Sequence, residues 1–179
     1  MTDAPARTVI ASIESEYRRY RRLGEESLRQ LDAEALVRQP PGDGNSVAAL
    51  VWHVAGNLRS RFTDFLTTDG EKPWRDRESE FAPRAVSAAD VRAKWDEGWN
   101  VLLQSLSALS DADLSRTVTI RGQPLSVLEA LHRSLAHASY HVGQIVFLAR
   151  SLRGKRWEWL SIPPGQSDAY NQDPRQEKP

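Results

Sequence analysis

The chain of 179 residues contains no cysteine. That excludes disulfides, thiolate metal sites and a cysteine nucleophile. It also lacks a charge excess, because 24 Lys and Arg balance 24 Asp and Glu. A nucleic-acid surface or a basic membrane-binding face is therefore not expected. No apolar run approaches the ~20 residues of a membrane span. The start, Met1 to Pro5, has none of the basic-then-apolar pattern of a signal peptide. Internal repeats and low-complexity tracts are missing too. These absences point to a cytoplasmic protein without nucleic-acid or membrane partners.

What remains is an ordinary globular composition, 40% hydrophobic and 27% charged, long enough for one domain with a real core. Residues 1–172 are expected to form that domain and residues 173–179 a disordered tail.

Helical periodicity dominates. A first helix is expected from Ala6 to Leu31, with Val9, Ile13, Tyr17, Tyr20, Leu28 and Leu31 inward. Pro40-Pro41-Gly42-Asp43-Gly44 breaks the chain. Asn45 or Ser46 then caps a second helix running to about Thr67. A long connection, Thr68 to Ser87, follows, with Trp74 and Phe81 to pin it down. Loops of this length tend to be functional or mobile. Ser87 caps a third helix from Ala88 to about Leu109, in which Trp95 and Trp99 serve as core or as pocket lining. Thr117-Val118-Thr119-Ile120-Arg121-Gly122 is the one β-like alternation, read as an extended or short hairpin connection. Ser126 with Glu129 forms a capping box that opens a fourth helix, ending near Leu152 before Gly154. Gly143 inside it suggests a close neighbour or ligand. The aromatic tail from Trp157 onward should pack back on the helices.

The chemistry-bearing residues are few. There are four histidines. His137 and His141 are spaced i,i+4, about 40° apart on a helix and one turn along it, so both leave one face. A divalent ion can take a nitrogen from each. His132 lies about 140° round the helix from His137 and points elsewhere. His53, on the second helix, is free to face the pair. A three-histidine metal site, His53 with His137 and His141, follows as the central expectation. Asn57 and Gln144, each on a ligand's face, are candidate second-layer or substrate-binding residues. The sequence His-Ala-Ser-Tyr-His lacks the glutamate of metalloprotease helices. Three imidazoles suit zinc, nickel, iron or copper better than calcium or magnesium. Zinc or nickel is the expected ion, with iron or manganese as alternatives. An open coordination position could activate a water or a small-molecule thiol. No catalytic base stands out; Asp64, Glu78 and Glu80 are the candidates.

Four stretches carry a family resemblance: Leu50-Val51-Trp52-His53-Val54-Ala55-Gly56-Asn57, Thr67-Thr68-Asp69-Gly70-Glu71-Lys72-Pro73-Trp74, Tyr140-His141-Val142-Gly143-Gln144-Ile145 and Leu160-Ser161-Ile162-Pro163. On these the chain resembles an uncharacterised branch of the DinB-like, or YfiT-like, metal-dependent hydrolase superfamily. The resemblance implies an all-α four-helix bundle with up-down-down-up topology, the long loop after the second helix making the crossover. It also implies a divalent metal on His53, His137 and His141, and a homodimer. Relatives include thiol-dependent transferases and isomerases using bacillithiol or mycothiol. The function so implied is a metal-dependent enzyme acting on a small molecule, either a low-molecular-weight thiol S-transferase, with bacillithiol as a candidate partner, or a hydrolase. The alternative is a non-catalytic metal-binding stress-response module.

Overall fold

The structure, a computed structural model, describes residues 6–174. Most of the tail expected to be disordered, residues 175–179, lies outside them. Four long helices carry the fold: α1 (Thr8–Arg29), α3 (Val47–Phe62), α4 (Ala88–Ser107) and α5 (Val127–Arg153). The short helices α2 (Ala33–Val37) and α6 (Ser167–Gln172) and a two-stranded hairpin, β1 (Thr117–Ile120) and β2 (Gln123–Ser126), fill connections and the tail. None of the described helices is long and apolar enough to cross a membrane.

Caps set the starts. Ser46 Oγ accepts from Ala49 N, and full capping boxes join Ser87 to Asp90 and Ser126 to Glu129. The second helix stops earlier than its apolar stripe suggests. Thr63 is extended and Asp64 adopts a left-handed φ of 49°, which Asp tolerates better than most residues. The turn still returns Phe65 to the core, which is why the periodicity ran on. Val9 is another departure: it is exposed, and Ile10, Ile13, Tyr17 and Leu28 make the inward stripe of α1.

Helix directions follow from end-to-end contacts. Arg7, before α1, donates to the carbonyls of Leu106 and Leu109 at the end of α4. Gln30, after α1, exchanges two hydrogen bonds with the backbone of Glu158, just past α5. So α1 runs against α4 and along α5. His53, early in α3, meets His137 well inside α5, whereas Phe62 at the end of α3 shares a wall with Ala130 at the start of α5. The order is up-down-down-up, with α3 packed on α4, α1 on α5, and α3–α5 and α1–α4 closing the square. Tyr17 ties it together. Its ring meets Phe62 and Trp99 edge-on, and its hydroxyl donates to Leu131 O at 3.0 Å. Trp95 and Trp99 are fully buried, so they belong to the core and not to a ligand pocket.

Two connections position the site. The hairpin turns at Arg121 and Gly122, both with positive φ (54° and 71°), as a two-residue type I′ turn requires. The crossover loop is clamped to it. Asp69 accepts from the backbone N–H of Glu71, Arg121 and Gly122, and Gly70 N donates to Thr119 O. Beyond that clamp the loop returns to α3 through a 3-10 turn, Glu78–Phe81. Trp157 packs against the core and Arg150 stacks on Trp159, so the tail folds back as expected.

Candidate metal centre

His53 projects from the second turn of α3; His137 and His141 project one turn apart from α5. Where α3 crosses α5 the three rings meet. One nitrogen from each lies within 4.8 Å of the others, and His53 Nε2 is 3.3 Å from His137 Nε2. Two imidazole nitrogens on a tetrahedral zinc, each about 2.0–2.1 Å from the ion, stand about 3.3 Å apart. The donor set fits.

The outer nitrogens are already engaged. His53 Nδ1 is 2.8 Å from Glu80 Oε2. A carboxylate only accepts, so Nδ1 carries the proton and the lone pair of the neutral ring sits on Nε2, facing the cluster. His141 Nδ1 is 2.8 Å from Gln144 Oε1, and Gln144 Nε2 reaches Tyr140 OH at 3.2 Å. That arrangement leaves His141 Nε2 as the inward nitrogen. Such outer partners fix the tautomer and ring angle of metal-binding histidines.

The electrostatics favour neutral rings at His137 and His141. Burial lowers the His137 pKa to about 4, helped by His141, His53, Arg75 and Arg61. Burial also lowers His141, with the Gln144 hydrogen bond opposing and His53 adding to the effect. Glu80 is different. Burial works to raise its carboxyl, but hydrogen bonds from His53 and Arg75 outweigh it and hold the group below its ordinary value. Arg75 meets Glu80 through two hydrogen bonds, 2.8 and 3.0 Å, with its own side chain only 2% exposed. Phe81 covers His53 with its ring, 4.8 Å between centroids.

The cluster opens into a cavity of about 430 Å³. Asn57 and Gln144 both line it, as their spacing from His53 and His141 suggests. Of the loop acids, Glu80 is the one that reaches the site, as the partner of a histidine. Glu78 is exposed and pairs with Arg77, and Asp64 sits on the exposed turn after α3; neither lines the cavity. His132 is exposed on another face. Gly143 has nothing within 4 Å of its hypothetical Cβ, so the close approach expected there is not made. Tyr140 and Arg133 also line the cavity, as does Arg75 from the charged crossover loop, whose functional reading is a substrate-facing loop over the metal mouth. Arg133 was within reach of the spacing argument, because it stands one turn before His137. Arg75 was not, since its place depends on the course of the crossover loop.

The sequence profile of the DUF1572 family, described as a protein of unknown function, matches residues 5–166. The chain belongs to the DUF1572 family. That family has the DinB/YfiT-like fold. The structure is similar to the crystal structure of a conserved protein from Enterococcus faecalis, with a TM-score of 0.64 and 20% identity over 84% of this chain and 100% of that one. At that identity the likeness establishes the fold alone. No curated protein matches the chain.

Proposed function

We propose that this DUF1572 chain is a divalent-metal-dependent enzyme of the DinB-like superfamily acting on a small molecule, by thiol S-transfer or by hydrolysis. One observation carries the reading: three imidazole nitrogens from two helices converge within 4.8 Å of one another, and all three histidines line an open cavity. A structural zinc site usually closes with a fourth protein ligand. Among the described residues this group has three, which favours a catalytic site over the stress-response module. When bound, zinc or nickel (iron or manganese as alternatives) would supply Lewis acidity toward a water or a thiol.

The chain's own residues divide the remaining work. Glu80, held by Arg75, orients His53 and keeps its proton on Nδ1. Gln144 does the same for His141, with Tyr140 behind it. Asn57, one turn after His53 on the same helix, offers an amide to a bound substrate. Phe62, Phe65 and Val118 give the cavity a dry wall. A cytoplasmic location and a homodimer belong to the same proposal, and sedimentation would read the dimer's mass directly.

The test is elemental analysis of protein purified without an affinity tag, followed by turnover of thiol-reactive electrophiles and of esters. His137→Ala should lose both metal and turnover. Turnover that survives metal stripping would falsify the reading. A requirement for added bacillithiol separates transferase from hydrolase.

A further inference from the structure

The cavity over the histidines has a wall that the metal reading does not use. Five arginines line it, Arg61, Arg75, Arg77, Arg121 and Arg133, and no carboxylate does among the described residues. Three glutamates touch those arginines directly. Glu80 takes Arg75, Glu78 takes Arg77, and Glu71 is shared by Arg61 and Arg121. Arg133 has no hydrogen-bond or ion-pair partner among the described residues. Asp69, nearby, is bound by three backbone amides and neighbours Lys72. Direct pairing therefore leaves Arg133 without a carboxylate and gives Arg61 and Arg121 one between them, in a chain whose formal charge is zero. Positive charge concentrated in a concave site with low-dielectric walls attracts anions, and guanidinium matches the fork of a carboxylate or phosphate.

The placement has a direction. Arg133, His137 and His141 form an i, i+4, i+8 row on α5, so about 6 Å of helix axis separates each from the next. Arg121 sits at the turn of the hairpin that leads into α5. Phe62, Phe65 and Val118 supply the apolar stretch of wall. A molecule with its anionic end at Arg133 would lay its other end at the histidines after about one helical turn.

We propose that the substrate is a small-molecule oxyanion, a carboxylate or a phosphate, whose charged group is bound by Arg133 and Arg121 and whose reacting group lies at the histidines. The assignment of the reacting end rests on the metal-enzyme reading; the binding of the oxyanion does not need it.

The experiment separates the two. Chelator-treated protein is titrated calorimetrically with succinate and with inorganic phosphate, and zinc binding is measured on the same preparations. Saturable binding of at least one anion is expected, and whichever binds names the carboxylate or phosphate class. Arg133→Ala and Arg121→Ala should each weaken it about tenfold or more, in line with loss of a charge-assisted pair, with zinc affinity unchanged. Arg92→Ala, on the outer face of α4, serves as the control and should leave both unchanged. Absence of saturable binding for both anions, or an unchanged affinity in Arg133→Ala, overturns the proposal even if zinc still binds. Loss of zinc binding with anion binding intact removes the metal reading instead.

Discussion

Glu80 occupies the space that a side chain on Gly56 would fill. A Cβ at position 56 would collide with Glu80 Oε1, and Arg75 and His53 between them hold both carboxylate oxygens. The glycine in mid-helix is thus the counterpart of the carboxylate that orients His53. Gly56→Ala should displace Glu80 and weaken zinc affinity about tenfold or more, although it touches no ligand. Competition titration with a zinc-binding dye measures this; an unchanged affinity would mean that Glu80 does not hold His53 in place.

Removing the carboxylate itself has a second cost. Glu80→Ala leaves the guanidinium of Arg75 buried and unpaired, which is expected to destabilise the fold by about 3–5 kcal/mol. Glu80→Gln retains a hydrogen-bond partner and should lose less. Urea denaturation of the two variants would contradict the argument if their midpoints coincided.

Glycines elsewhere should behave in opposite ways. At Gly98 a Cβ would lie 2.5 Å from Ala55 Cα, at the α3–α4 crossing where backbone cannot yield. Gly98→Ala should therefore cost about 1–3 kcal/mol by overpacking. Gly143 is exposed in mid-helix with open space around it, so Gly143→Ala should stabilise by up to about 1 kcal/mol. Thermal melts compare them directly, and a lower Tm for Gly143→Ala would reveal a role for that position that packing does not show.

Stability should also fall in acid through the clamp between loop and hairpin. Backbone N–H groups of Glu71 and Gly122, then Arg121, hold the Asp69 carboxyl far below its usual range. The folded state therefore resists the proton that the unfolded state accepts near pH 4. The stabilisation is complete above that value and is lost as pH falls below it toward the folded pKa. Asp69→Asn should be less stable at pH 7 and lose part of the difference between pH 6 and pH 3. Denaturant midpoints across that range would disprove this if wild type and variant ran parallel.

The bundle was legible because its signals are local. Capping boxes at Ser87 and Ser126, a serine cap at Ser46 and the 3.6-residue periodicity each act within a few residues, and the helices begin where those signals place them. The His137–His141 pair was legible for the same reason, since one turn of helix dictates that both rings share a face. Helix ends were less so: Phe65 and Leu109 stay buried beyond the ends of α3 and α4, because burial continues through a turn that periodicity does not register.

The amino-acid order alone therefore determined the helices, the paired histidines and the exclusion of His132. Tertiary structure decided what surrounds them. Glu80 is separated from His53 by 27 positions and reaches it because Asp69 anchors the crossover loop to a hairpin some fifty residues further on. Arg75, Arg121 and Arg133 come from three separate segments and line one cavity. Contacts of that range depend on the path of a loop whose backbone is held by distant partners, and no spacing rule within the loop encodes it.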